Sequence, residues 1–418
     1  MQPSVAVIGS GVSGLTAAYA LRHTHRVTLF EADERFGGHA HTHAVTGADG
    51  LTRQIDTGFI VHNERTYPHL LRIFRELGIE TQQTEMSMSI NCHGCGLQYA
   101  GGRGLKGIAA QPQRLLDPRF VRLLIEVPRF HRAARALLAG DLDANLTWSE
   151  FLRRGKYSEY FVQHFAIPLV SCVWSSGDAD SGSYPAKHLF EFLDHHGMLT
   201  IGNSPTWRTV VGGSQQYVRA IIALLPDART NSRVVGITRH EDHVEVRTPS
   251  GSERFDQVVI ATHADIAATM LSDASDDELA NLRAITYSTN HTWLHTDDQL
   301  LPKARGAKAS WNYLKEQCVD SASAVTVSYW MNKLMQLGGD ADYIVTLNAE
   351  EHVRDDRVIA KMTYHHPVFT SDAVNAAQQL RSAGGPRLAF AGAHLGWGFH
   401  EDGARSGIDA ARKFGATW

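Results

Sequence analysis

The residues best suited to chemistry lie near the two ends of the chain. Gly9, Gly11 and Gly14 stand in a Gly-x-Gly-x-x-Gly spacing, with Ser13 just before the last glycine. Such glycines permit a tight turn, close backbone approach to a pyrophosphate, and close helix–strand packing. Glu31 follows at about the 20-residue offset where a carboxylate accepts the hydroxyls of an adenosine ribose. Together these residues predict dinucleotide binding. At the other end, residues 392–406 read Gly-Ala-His-Leu-Gly-Trp-Gly-Phe-His-Glu-Asp-Gly-Ala-Arg-Ser. Two glycines flank and expose Trp397. Hydride chemistry needs a dry apolar pocket and often one acid or base. The candidates to touch a substrate are Trp397 and His400 in this loop, His62 after a short apolar run, and Tyr313 in a Trp-Asn-Tyr sequence.

Other constellations carry less. Cys92-His-Gly-Cys95 invites a metal or redox reading. Zinc usually takes four ligands, and no second Cys-x-x-Cys or His-x-x-x-His stands where it completes a set, so no metal site is expected. The pairs His195-His196 and His365-His366 read as surface or interface residues. Ser214 lacks the context of a nucleophile elbow, and no motif supports a hydrolase.

The elements that must position these residues follow from pattern. Residues 5–8 have strand length and β-branched content, 14–21 are helix formers, and 27–30 form a second strand. The glycines therefore sit at the first turn of a βαβ unit, where a helix N-terminus offers free N–H groups and positive dipole to phosphates. Residues 233–247 alternate like a hairpin and precede Asp-Gln-Val-Val-Ile-Ala-Thr-His (256–263). Near the carboxyl end a strand over 388–391 leads through the glycine-rich loop to a helix beginning near 402–403.

Residues 31–42, Glu-Ala-Asp-Glu-Arg-Phe-Gly-Gly-His-Ala-His-Thr, resemble the Glu-x-x-x-x-x-Gly-Gly-Arg extension of the flavin-containing amine oxidase, phytoene desaturase and protoporphyrinogen oxidase superfamily. The resemblance implies FAD. It assigns Glu31 and Ala32 to the ribose end and Gly37 and Gly38 to the pyrophosphate, with His39 in place of the usual arginine. It adds Thr57 and Gly58, gives Val234 the adenine through its backbone, and closes the Ala-Thr turn at Ala261 under the cofactor. Gly392, Glu401, Asp402, Gly403 and Ser406 then belong to the last loop and helix, whose N-terminus points at flavin N1 and O2. Ala393 stands where amine oxidases usually carry a glutamate. Lys308 is the nearest counterpart of the lysine those enzymes place beside N5. Five motifs (37–42, 56–63, 207–214, 310–313, 398–407) are similar to one bacterial branch of NAD/FAD-binding oxidoreductases. That branch is often encoded beside cyclopropane-fatty-acid-synthase-like methyltransferases, which suggests lipid substrates.

The expected fold class is α/β, with the two-domain amine-oxidase-like fold. A discontinuous Rossmann-type FAD-binding domain would comprise 1–62, 205–290 and 385–418. An α+β substrate domain would comprise 63–204, mainly helical, and 291–384. The 418 residues, 43% hydrophobic and 20% charged with net charge −4, exclude disordered and collagen-like classes and give no reason to expect nucleic acid. Glycines interrupt the only long apolar run (5–21), so neither a signal peptide nor a membrane span is expected and the cytoplasm is. Segment 103–135 carries eight basic residues against Asp117 and Glu126. It reads as a solvated face of an amphipathic helix or as a peripheral contact with anionic lipid. The expected function is FAD-dependent oxidation of C–H bonds in a hydrophobic, fatty-acyl or lipid substrate. The alternatives are an amine oxidase and a non-catalytic flavin-binding partner of a lipid-modifying enzyme.

Overall fold

The computed structural model describes residues 2–140, 146–174, 182–200, 204–319 and 326–418. A five-stranded parallel sheet organises the nucleotide end. Its order is Asp227–Arg229, Arg26–Phe30, Ser4–Ile8, Gln257–Ile260, Leu388–Phe390. The central strand Ser4–Ile8 is buried along its whole length, as its near-continuous apolar sequence requires. Helix Val12–Leu21 is buried at every residue because the sheet covers one side and helix His400–Lys413 packs on another. Full burial of Leu15 and Leu21 contributes about 1.5–3 kcal/mol each. The last helix begins at His400, two residues earlier than expected, because the Asp402 carboxylate accepts the Phe399 N–H at 3.1 Å and caps the turn. A three-stranded antiparallel sheet (Gly236–Arg239, Val244–Thr248, Gly251–Phe255) lies beside the parallel one and contains the expected hairpin.

The second half is a seven-stranded sheet in the order Val358–Pro367, Tyr287–His295, Ile344–Leu347, Thr326–Trp330, Trp311–Lys315, Met88–Cys92, Gln98–Gly101. Its one parallel pairing joins Trp311–Lys315 to Met88–Cys92. Helices Pro118–Ala139, Trp148–Arg154, Ile167–Trp174 and Ala186–His195 cover one face, with Phe120, Phe130, Phe161 and Phe190 in their shared core. Segment 63–204 is less uniformly helical than its composition suggests. Residues 81–101 supply three strands, because Thr-Gln-Gln-Thr and Met-Ser-Ile-Asn-Cys find edges to pair with only after folding. Strand Tyr287–His295 runs across position 290, so the chain passes between the two halves inside one strand. Among the described residues no helix is long and apolar enough to cross a membrane.

Candidate functional site

A cavity of about 390 Å³ runs between the two halves, from the Gly9–Ser10–Gly11 turn to Trp207 and Trp311. At its nucleotide end the first helical bond is Leu15 N–H to Gly11 O. The amides of Gly11, Val12 and Ser13 at the helix start have no intrahelical acceptor, and no side chain caps the helix. A Cβ on Gly14 would stand 1.9 Å from the Gly9 carbonyl oxygen, so strand turn and helix meet only through glycine. A Cβ on Gly11 would meet no protein atom within 4 Å, and Gly11 lines the cavity. That space is the close approach a diphosphate needs.

Glu31 also lines the cavity, and its carboxylate is already aimed. Ser10 donates from N–H (2.9 Å) and from Oγ (2.5 Å) to Oε2, while the Asp33 N–H donates to Oε1 at 3.0 Å. His39 packs against Tyr364 at 4.9 Å, and its buried Nε2 has no protein partner. Burial, and then the neighbouring His366 and His263, hold its pKa well below the ordinary value. A neutral donor without an acceptor, beside bare helix amides and an oriented carboxylate, is a donor set that fits the diphosphate and ribose of FAD. Ser13, Gly38, Thr57, Gly58, Ala261 and Gly392 line the same cavity. Thr57 Oγ1 shares a 2.8 Å hydrogen bond with the Tyr364 hydroxyl.

Several expected cofactor residues lie behind this wall. Glu401 turns away: its carboxylate accepts the backbone N–H groups of His69 and Leu70 and pairs with His69 Nδ1 at 2.6 Å. It therefore caps helix Pro68–Leu77. Asp402 caps its own helix and pairs with Arg405 at 2.7 Å, and burial pushes its pKa up to about 6. Ser406 Oγ accepts the Gly392 N–H at 2.9 Å and so fixes the turn that lines the cavity. A Cβ on Gly403 would stand 2.4 Å from Val12 Cγ1, so this residue lets the two helix N-termini converge. Val234 is buried in the core with Ile237 and Phe255, Gly37 donates its N–H to Ser10 Oγ at 3.1 Å, and Ala32 is exposed.

The substrate end departs further from expectation. Of the four proposed catalytic residues only His400 lines the cavity. It stacks on Phe59 at 3.6 Å, and its Nε2 lies 3.0 Å from the Tyr217 hydroxyl. His62 is fully buried among Phe59, Tyr67 and Phe74 and does not reach the cavity. Tyr313 lies two residues beyond Trp311 on the same strand face, under the helical layer. Trp397 turns its ring to His195 (5.5 Å), and its carbonyl accepts the Trp174 indole N–H at 3.0 Å. Lys308 pairs with Asp342 at 2.7 Å, outside the cavity. His196, His365 and His366, read as surface or interface residues, line it. Trp174, Phe192, Trp207, Trp311 and Tyr329 join them, brought from separate segments of the chain.

Burial keeps this wall uncharged. It lowers the pKa of His196 and His366 to about 4 and that of His394 and His400 to about 3, and raises that of Tyr364 to about 12. Behind the wall, fully buried Asp56 accepts Thr42 Oγ1 (2.6 Å), Ser214 N–H (2.9 Å) and Ser214 Oγ (2.8 Å). Burial lifts its pKa to about 6. Three of the sequence motifs thus converge on one carboxylate that the sequence did not single out. The surroundings of Cys92 and Cys95 were also not foreseen from the sequence. The fold brings His164 and Cys318 to them, so that one ligand atom from each of the four lies within 4.8 Å of the others.

The profile of the flavin containing amine oxidoreductase family matches residues 12–413. The chain is 28% identical to probable polyamine oxidase 4 of Arabidopsis thaliana over 270 residues, which is 62% of this chain and 50% of that protein. It therefore spans about half the length of the curated relatives it matches. In fold it is similar to a putrescine oxidase triple mutant, with TM-score 0.72, 14% identity and coverage of 99% and 98% of the two chains. It is also similar to a CLA-producing fatty acid isomerase from P. acnes, with TM-score 0.70, 18% identity and 99% coverage of both chains.

Proposed function

The chain belongs to the flavin containing amine oxidoreductase family, with FAD as its cofactor, and from that premise we propose that it oxidises C–H bonds of a hydrophobic substrate. A fatty-acyl or other lipid chain is the favoured substrate, converted by dehydrogenation or by hydride-shuttling isomerisation. When bound, FAD supplies the hydride acceptor. Glu31, His39 and the amides of the Gly11–Val12–Ser13 turn would hold its diphosphate and ribose.

One observation carries the reading. Among the described residues lining the cavity, Glu31 is the only carboxylate, and it stands at the ribose end; no lysine or arginine lines the cavity. A polyamine bound here would bury ammonium groups without a carboxylate partner, which is strongly unfavourable. An acyl chain meets instead Val61, Met86, Val173, Met198 and Leu347 with flanking aromatic rings. These side chains exclude water, and His400, its Nε2 held by Tyr217, presents a neutral ring to the cavity. The named fatty acid isomerase shares this fold. A second reading, amine oxidation, draws on the polyamine oxidase relatives and on Trp311 and Tyr329, edge to face at 5.4 Å, which offer a cation–π surface.

The same reading gives segment 103–135 a peripheral role at anionic lipid. Its outer surface combines Arg119 and Arg122 with Leu105 (83% exposed), Leu116 (86%) and Ile125 (68%). Anaerobic mixing of the flavin-loaded protein with unsaturated fatty acids and, separately, with putrescine and spermidine tests the assignment. Flavin bleaching or a shifted double bond is expected with the acyl chains alone. Bleaching by the amines alone would replace the lipid reading with the second one.

A further inference from the structure

Outside the cavity lining, three segments of the substrate half converge on one point. Cys92 ends strand Met88–Cys92, and Cys95 lies in the turn that leads to Gln98–Gly101. Cys318 follows strand Trp311–Lys315, whose Lys315 pairs in register with Cys92. His164 comes from across the helical layer, in a single π-helical turn, Val162–Ala166, between two α-helical stretches. Such wide turns inside helices often mark functional positions. None of the four residues lines the flavin cavity.

The spacing of the ligand atoms is specific. Zinc bound tetrahedrally at about 2.3 Å from sulfur and 2.0 Å from nitrogen sets neighbouring sulfurs about 3.8 Å apart and a sulfur–nitrogen pair about 3.5 Å apart. Cys92 Sγ and Cys318 Sγ stand 3.9 Å apart, and Cys95 Sγ stands 3.6 Å from His164 Nε2. A disulfide needs about 2.05 Å and the cluster is open by nearly twice that. The imidazole is also set for a metal. Its Nδ1 lies 3.1 Å from the Tyr160 carbonyl and donates to it, which leaves Nε2 as the lone-pair atom facing the sulfurs. The Tyr160 hydroxyl reaches Cys95 Sγ at 3.7 Å, and Arg119 lies over the Tyr160 ring at 5.2 Å. Three thiolates and one neutral imidazole around Zn²⁺ carry net −1. A Cβ on Gly94 would stand 2.8 Å from the Cys318 nitrogen, so glycine here lets the turn and the strand exit close on each other.

We propose that Cys92, Cys95, His164 and Cys318 form a structural zinc site that staples helix and sheet of the substrate half together. Binding releases the three thiol protons to solvent and changes no oxidation state. The role is positional: the helical segment that carries His164 continues to Cys172, Val173 and Trp174, which line the cavity. Nothing in the flavin reading requires the metal, so the two stand or fall separately.

The test uses the flavin-loaded protein, purified without a histidine tag from zinc-supplemented cells, with metal and flavin measured in the same samples. About one zinc per chain is expected, falling at least about tenfold in Cys95→Ser and Cys318→Ser. His93→Ala should keep the metal, because His93 turns to Glu316 at 3.2 Å. Should the cysteine variants fail to fold, wild-type protein loaded with Co²⁺ gives the same information. Tetrahedral thiolate bands beyond the flavin absorption are expected. Wild-type protein with bound flavin but about a tenth of an equivalent of zinc or less would overturn the proposal. So would a Cys92–Cys318 disulfide in an alkylated digest, or a cobalt spectrum without thiolate bands.

Discussion

Glu31 and His39 make opposite demands on the nucleotide end. Glu31 is held by three hydrogen bonds before any ligand arrives, so it meets the ribose without reordering. Glu31→Ala removes a charged acceptor worth about 1.5–3 kcal/mol. FAD affinity should fall roughly ten- to a hundredfold, read as flavin retained after dialysis. Unchanged retention would remove Glu31 from the ribose. His39 offers a neutral donor where relatives in the superfamily place arginine, and its Nε2 lacks a protein partner. His39→Ala therefore loses one ordinary hydrogen bond, about 1 kcal/mol, and should weaken FAD binding by about fivefold, measured by titration of the apoprotein. A hundredfold loss would mean that the imidazole is charged when the phosphate is bound.

Helix Pro118–Ala139 shows how one element serves two surfaces. Phe120, Leu123, Phe130 and Leu137 face the core, while Arg119, Arg122, Ile125, Arg129 and Arg132 share the outer stripe at helical spacing. Part of that charge is already paired, Arg119 with Asp117 and both Arg122 and Arg129 with Glu126. Each arginine still free to meet a charged membrane adds about 1 kcal/mol. Flotation with anionic vesicles should therefore occur at low salt and fade as the screening length drops below about 8 Å. Arg122→Gln combined with Arg132→Gln and Leu116→Ser should abolish it and leave the flavin spectrum intact. Flotation equal to wild type would assign the membrane contact to another face.

At the scale of the whole molecule, buried histidines set the acid limit. His62, His196 and His295 are almost fully buried, and burial lowers each pKa to about 4. The unfolded chain, with histidine near 6.5, binds more protons than the folded one between pH 6.5 and 4. Stability from these groups is thus complete above pH 6.5 and falls by about 1.4 kcal/mol per histidine per pH unit below it. Asp56 and Asp402, raised to about 6, act in the opposite direction as they take up protons. The histidines outnumber them, since His131, His188 and His366 are lowered to about 4 as well. The melting temperature should drop steeply between pH 7 and 5 in circular dichroism. A flat profile would show that these imidazoles reach solvent in the folded state.

The glycine fingerprint, Glu31 and the β-branched strands around them were legible in the sequence because their information is local. Turn geometry, helix N-terminus and carboxylate all fall within about 30 residues, the length of a βαβ unit. The amphipathic helix within 103–135, observed as Pro118–Ala139, was legible for the same reason: periodicity lies within the element. Distance in the chain hid the rest. Glu401 and Asp402 carry cofactor-loop positions in sequence, yet helix N-terminal amides closer to hand capture their carboxylates. The 23 histidines are spread along the chain, and folding draws His39, His263, His366 and His394 to one wall. Cys92 and Cys95 gained His164 and Cys318 only when strand pairing and a π-turn closed gaps of 69 and 223 residues. Local backbone preference fixes what a segment becomes, whereas burial and long-range pairing decide which side chains meet.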